Sequence, residues 1–292
     1  MAAQSVMAAH TPIADPTPWT AIVTGGASGI GAATARKLAS RGINILIADV
    51  ADETGQQLAG EIQAEFNVDA FNRHVDVSKE TDIEEMIKAI VQKWGRLDYA
   101  ANVAGICKDG GDMKDDESKV PTELIDRTYE VNQRGIQLCQ KHEAQQMLKQ
   151  EPRGVTISPS PPKPVRPQRG SIVNVGSTAS LTGLGHAAYT PTKHAILGIT
   201  KNGAYYYGPH GVRCNSVAPG GTVTPLGIDA MPEGIKELVR ENDPAVGKGT
   251  PMGKLAWPEE VANVISFLLS DEASHVCAVN IEVDGGFANT RI

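Results

Sequence analysis

From Trp19 onward, short apolar runs alternate with longer segments whose apolar residues recur at helical spacing. The pattern predicts strands at 21–24, 43–48, 70–75, 97–103, 171–175, 212–217 and 279–283. Helices are predicted at 29–40, 53–66, 79–94, 121–149, 187–207 and 258–269. Such alternation is the sign of βαβ units and a mostly parallel sheet. It implies one α/β domain with a doubly wound sheet of seven parallel strands, without internal repeat or second core.

Two segments break the rhythm. Residues 108–119 are polar and contain glycine, and residues 151–169 hold six of the 18 prolines. Proline at that density removes backbone donors and restricts φ, so 151–169 reads as a surface insertion in extended or polyproline conformation. Arg153, Lys163, Arg166 and Arg169 make it locally basic. A docking function for its PxxP pattern is the rarer reading of such a segment, and a tolerated loop the commoner one. Residues 1–18 read as a disordered tail lacking the cationic and apolar regions of a targeting signal.

Composition narrows the class. The 292 residues carry a net charge of −7, which leaves no positive field to hold nucleic acid or anionic lipid. No stretch of about 20 apolar residues is present to span a bilayer. Cys107, Cys139, Cys214 and Cys277 are scattered without metal-type spacing, as expected of reduced thiols in a cytoplasmic protein.

The candidate chemistry begins at Thr24-Gly25-Gly26-Ala27-Ser28-Gly29-Ile30-Gly31, between the first strand and the first helix. Glycines at 25, 29 and 31 permit a sharp turn and close backbone approach to a pyrophosphate, while the helix N-terminus supplies N–H donors. The spacing is GxxxGxG, and a glycine turn alone is a weak signal. Asp49 ends the second strand 24 residues after Gly25, where a carboxylate accepts ribose hydroxyls and repels a 2′-phosphate. No Arg or Lys lies between 42 and 60 to neutralise such a phosphate, so NAD is expected over NADP. Asp76-Val77 ends the third strand, where the carboxylate can accept from an adenine amino group. Asn102, Ala104 and Gly105 end the fourth, where small residues let backbone pass beside a flat ligand.

Ser177 follows the fifth strand, and Tyr189 and Lys193 come twelve and sixteen residues later, one helical turn apart. A phenol, ordinarily near 10, is a poor base at neutral pH unless a nearby cation stabilises the phenolate, and Lys193 supplies one. Together they suit proton exchange with an alcohol oxygen, which Ser177 can also hydrogen-bond.

These motifs, with Asn132 in VNQRG, PGGTVTP at 219–225 and VDGG at 283–286, resemble those of the short-chain dehydrogenase/reductase family, in family order over about residues 19–287. The resemblance implies a Rossmann-type fold. It implies that Tyr189 is the general acid/base, that Lys193 also binds the nicotinamide ribose, that Ser177 orients the substrate oxygen and that Asn132 holds a water linking Lys193 to solvent. Ser28 and Ile30 join the glycines in cofactor binding, and Pro219, Gly220, Thr222 and Thr224 anchor the carboxamide. A homotetramer is implied, with 121–149 and 187–207 packing across one two-fold axis and 258–283 across another. Val103, where a second asparagine is usual, and Gly176, where serine is usual, depart from the pattern.

The expected activity is NAD-dependent oxidation of a secondary alcohol to a ketone. Leu226, Ile228, Met231 and Met252 point to a bulky or cyclic, mainly apolar natural product, a terpenoid, polyketide or steroid-like alcohol. A lid at 226–257, with 107–119 and 178–188, is expected to set that choice. The alternatives are an NADPH-dependent ketoreductase working in reverse and a non-catalytic dinucleotide-sensing protein; the intact Ser177, Tyr189, Lys193 and Asn132 argue against the latter. No metal is expected from His186 and His194, eight residues apart without a third ligand. His186 is a candidate for the substrate pocket, and Tyr205-Tyr206-Tyr207 reads as helix packing.

Overall fold

The computed structural model describes residues 18–108, 117–155, 166–183, 187–229, 233–240, 247 and 249–290. The expected tail up to residue 17, the middle of the insertion (156–165), His186, Met231 and parts of the expected lid therefore lie outside the described residues.

Seven strands form one sheet: β1 Thr20–Thr24, β2 Asn44–Asp49, β3 Ala70–His74, β4 Tyr99–Asn102, β5 Gly170–Val175, β6 Val212–Pro219 and β7 Asn280–Val283. Their order is β3-β2-β1-β4-β5-β6-β7, and every pairing is parallel. The strands are apolar at consecutive positions because both faces are covered. Ala21 and Val23 of β1 face a core that includes Leu38, Leu58, Ile62 and Ile265. Between them Ile22 points to the opposite core, with Ile83, Met86, Ile90 and Met147. Helices α1 Gly29–Ala39, α2 Asp52–Phe66 and α9 Pro258–Leu269 cover the first face. The second is covered by α3 Glu80–Trp94, α5 Ile136–Leu148 and α6 Tyr189–Tyr207. Because β1 pairs with both β2 and β4, chain order reverses there, and a crevice opens outside the strands' C-terminal ends.

Three features differ from the pattern read in the sequence. The expected helix 121–149 is interrupted: α4 Thr122–Tyr129 passes through a π-helical turn, Glu130–Gly135, before α5. The expected lid carries two short helices, α7 Pro225–Asp229 and α8 Glu233–Arg240, the first capped by the Thr224 hydroxyl accepting the Gly227 N–H at 2.9 Å. Tyr205 and Tyr206 do not reach the core but meet edge to face, 76% and 60% exposed, while Tyr207 packs against the second core.

The described ends of the insertion are held firmly. Arg153 and Gln168 form an antiparallel backbone bridge. The Arg153 guanidinium lies 3.4 Å from the Asp98 carboxylate and 4.4 Å over the Trp19 ring. This anchorage sits at the N-terminal end of β4, opposite the crevice.

Candidate active site

The glycine turn is shaped for backbone approach. Gly25 has φ +62°, and a Cβ on it would come 2.8 Å from Ala104 Cα. A Cβ on Gly31 would run into the Gly25 carbonyl oxygen, so glycine is required where α1 packs on the turn. Gly29, with φ +50°, faces Thr224 across the crevice. Ser28 stands at the N-cap of α1 in extended backbone without capping it, which leaves its hydroxyl and the first helical N–H groups for a ligand. The Asp49 carboxylate accepts the Ala27 N–H at 2.9 Å and the Ala51 N–H at 3.0 Å, tying the turn to β2. Thr24 Oγ1 accepts the Val103 and Ala104 N–H groups, tying β1 to the end of β4.

A crevice of about 540 Å³ runs along these elements. Gly25, Ser28, Gly29, Ile30, Gly31 and Asp49 line its nucleotide end, with Asp76 and Val77 beside them. Ala104 and Gly105 form its floor, and Ser177, Tyr189 and Lys193 its reactive end. Pro219, Gly220, Thr222 and Thr224 line a further wall.

Tyr189 opens α6 and Lys193 sits one turn on, with Nζ 5.4 Å from the Tyr189 ring centroid and donating to the Val175 carbonyl at 2.9 Å. Burial lowers the Lys193 pKa to about 8, against a smaller raising influence from Cys107. Ser177 caps a short 3₁₀ turn, its Oγ accepting the Ala179 N–H at 3.1 Å. Ser180 locks that turn to the helix: its Oγ accepts the Ser177 N–H and donates to the Lys193 carbonyl at 2.7 Å. A Cβ at position 176 would come 2.9 Å from Ser180 Oγ, which accounts for Gly176.

One expected residue is placed differently. Asn102 is fully buried and turns away from the crevice, donating to Glu143 and Asn174. Asn132 is buried too, in the π-helical turn, which lets its side chain meet the backbone after β4. It accepts the Ile106 N–H and donates to the Ile106 carbonyl, both at 2.8 Å. Its side-chain amide also reaches the Thr192 hydroxyl at 3.4 Å. A π-helical turn at a functional site is a recurrent device.

Asp76 accepts from the Ser78 N–H and hydroxyl and lies 3.4 Å from Arg127. Burial raises its pKa, but those partners outweigh it and the net shift is downward. Arg127 and Phe287 line the crevice and were not legible in the sequence: one lies on α4, the other beyond VDGG, and neither sits in a motif that predicts it. Cys107, beyond the NVAG motif, lines it as well.

The glycine cradle, the open α1 N-terminus and the carboxylates at successive strand ends fit a dinucleotide. Comparison with known proteins agrees. The family model described as enoyl-(acyl carrier protein) reductase matches residues 25–288. The (+)-borneol dehydrogenase 2 of Salvia officinalis is 36% identical over 93% of this chain and 89% of its own. Zerumbone synthase of Zingiber zerumbet is 34% identical over 92% and 94%. The crystal structure of levodione reductase superposes with a TM-score of 0.78 and 29% identity, covering 94% of this chain and 99% of the other. The chain belongs to the short-chain dehydrogenase/reductase family, oxidoreductases that use a nicotinamide dinucleotide. Among the described residues no helix is long and apolar enough to cross a membrane.

Proposed function

We propose that this protein is an NAD-dependent dehydrogenase that oxidises a secondary alcohol to a ketone on a bulky or cyclic, mainly apolar natural product. The observation that carries the reading is that Ser177, Tyr189 and Lys193 meet in the crevice that the glycine turn and Asp49 also line. Gly25, Ser28, Gly29, Ile30 and Gly31 would hold the pyrophosphate, Asp49 the adenosine ribose, Asp76 and Val77 the adenine, Ala104 and Gly105 the nucleotide's flat face, and Pro219, Gly220, Thr222 and Thr224 the carboxamide. When bound, the dinucleotide would supply the hydride-accepting chemistry at the alcohol carbon. Tyr189 takes the hydroxyl proton, with the Lys193 ammonium stabilising its phenolate; Ser177, whose oxygen accepts from Ala179 and whose O–H has no acceptor among the described residues, orients the substrate oxygen. Asn132 fixes the backbone at Ile106 beside Lys193 and would also hold the water that links Lys193 to solvent.

Preference for NAD rests on Asp49, a carboxylate where a 2′-phosphate would lie. The opposite reading, an NADPH-dependent ketoreductase, is favoured by Arg127, a cation lining the crevice, although that guanidinium already serves Asp76 and Ser78. The substrate class rests on Leu226 and Phe287 at the crevice and on relatives named for borneol and zerumbone. A panel of cyclic secondary alcohols, assayed by NADH or NADPH absorbance with each oxidised cofactor, tests the reading. Turnover with NAD+ on terpenoid alcohols is expected; turnover with NADP+ alone, or none with any alcohol, would sink it.

We further place the enzyme in the cytoplasm as a homotetramer. Exposed Ile125 and Tyr129 on α4, Tyr205 and Tyr206 on α6 and Phe267 on α9 supply apolar surface on the helices the family packs between subunits. Light scattering on the eluting protein checks this, and a monomeric mass would refute it.

A further inference from the structure

Beneath the crevice floor, β4, β5, α5 and α6 meet over Asn102, Asn174, Glu143, Gln140 and Thr200, all buried. Their hydrogen bonds can be followed donor by donor. Gln140 Nε2 donates to the Ile199 carbonyl at 3.1 Å. Asn174 Nδ2 donates to Gln140 Oε1 at 2.8 Å and to Thr200 Oγ1 at 3.1 Å. Asn102 Nδ2 donates to Asn174 Oδ1 at 3.0 Å and to Glu143 Oε2 at 2.9 Å. Both hydrogens of each asparagine amide are then used. Two oxygens, Asn102 Oδ1 and Glu143 Oε1, have no partner among the described residues, although they belong to side chains already bonded to each other.

A charge on Glu143 would have no counter-ion there among the described residues. The titratable groups that interact with it are thiols, Cys139 of its own helix and Cys214 of β6. β4 and β5 face it with the amides of Asn102 and Asn174. On α6, Thr200 closes the network and Lys193 directs its ammonium to the Val175 carbonyl. Lys141 and His142, its neighbours on α5, turn to Glu80 of α3. An unpaired buried carboxylate is costly, whereas a buried carboxylic acid is a hydrogen-bond donor.

One proton answers both orphaned oxygens. A carboxylic acid and a primary amide pair through two hydrogen bonds, each group donating once and accepting once, and the bond from Asn102 Nδ2 to Glu143 Oε2 is one of that pair. We propose that Glu143 is a neutral carboxylic acid whose Oε1–H donates to Asn102 Oδ1, and that this pairing makes it a positioning residue for the crevice floor. Asn102 is the last residue of β4, and the segment from Val103 to Cys107 that follows it lines the crevice. A Cβ on Gly105 in that segment would come 3.5 Å from Lys193 Nζ. Asn174 precedes Val175, whose carbonyl holds the Lys193 ammonium. Burial agrees, pushing the Glu143 pKa up to about 8 against a lowering bond from Asn102.

Glu143→Gln supplies the same acceptor with a permanent donor and tests the protonation state without catalysis. A carboxyl with a raised folded pKa binds a proton that the unfolded chain has released, so its stabilising effect is lost as pH rises through that window. From the ordinary value of 4.5 to about 8, the wild-type folding constant is expected to weaken relative to Glu143→Gln by up to about tenfold per pH unit, then to level off. A constant ratio across that range in denaturant unfolding of the full chain, or a ratio moving the other way, would overturn the neutral acid. The positioning role rests on the oxidoreductase reading. It predicts that Glu143→Gln keeps kcat near neutral pH within about threefold, and loses the alkaline inflection near 8 that Glu143 adds to the wild-type profile. Superimposable rate profiles, or a folded but inactive Glu143→Gln, would overturn it. Absence of all turnover in the wild type would strike the oxidoreductase reading and leave the unfolding result standing.

Discussion

The two halves of the sheet do their work by opposite means. Around β1 to β3 the crevice is made by removing side chains: Gly25, Gly29 and Gly31 let backbone N–H groups reach a ligand, and Asp49 and Asp76 are held by local hydrogen bonds. Around β4 to β6 it is made by filling the interior with polar side chains in defined protonation states, with Lys193, Glu143, Asn102, Asn132 and Asn174 all buried beneath Ser177 and Tyr189. The nucleotide half should therefore be sensitive to added atoms and little affected by pH. The catalytic half should be sensitive to lost donors and to titration.

The sharpest separation comes from Tyr189→Phe. Loss of the general base should lower kcat by about 10²- to 10⁴-fold while dinucleotide affinity, measured by calorimetry, stays within about threefold; unchanged turnover would remove Tyr189 from its role. Lys193→Met should uncouple stability from activity. Because the folded pKa of Lys193 is lowered to about 8, holding the ammonium inside costs stability at every pH below that value. The variant should lose turnover yet unfold at higher denaturant, by about 1–2 kcal/mol after the lost bond to Val175 is discounted. A variant less stable than wild type would show that the ammonium is not under strain.

On the other side of the comparison, Gly25→Ala should weaken dinucleotide binding by about 1–2 kcal/mol through its positive φ and the contact with Ala104, leaving kcat at saturating cofactor nearly unchanged. An equal fall in kcat would mean that the two halves are not separable. The smallest effect is expected from Asp49→Ser, which should move the NADP+ to NAD+ preference by about tenfold, or about 1.4 kcal/mol, read from the ratio of kcat/KM values. Asp49 also holds the Ala27 N–H, so part of the change should appear as weaker binding of both cofactors.

The same contrast explains what could be read in the sequence. The glycine turn and the Tyr189/Lys193 pair announce themselves because their chemistry depends on residues a few positions apart, and Asp49 because it closes the strand that follows the turn and its helix. Asn102 was expected beside the ligand because its neighbours are there, but its partners Glu143 and Asn174 lie 41 and 72 residues away. Nothing in the local pattern marks a glutamate at a buried position of α5 as a partner. The π-helical turn at Glu130–Gly135 hid within a helical period that one widened turn scarcely disturbs, and only the meeting of Asn132 with Ile106 gives it meaning. Arg127 reaches the crevice because Asp76 draws it there.

The bridge between Arg153 and Gln168 has a practical consequence. It brings the two ends of the proline-rich insertion together on a foundation of Asp98 and Trp19, at the N-terminal end of the central strands, opposite the crevice. The entropy of closing a loop on such a stem grows by only about 0.6 kcal/mol for each doubling of its length. That makes the stem a grafting site: an affinity tag, a fluorophore-binding peptide or a surface-attachment sequence can replace 156–165, displaying the enzyme by its base with the crevice facing away from the support.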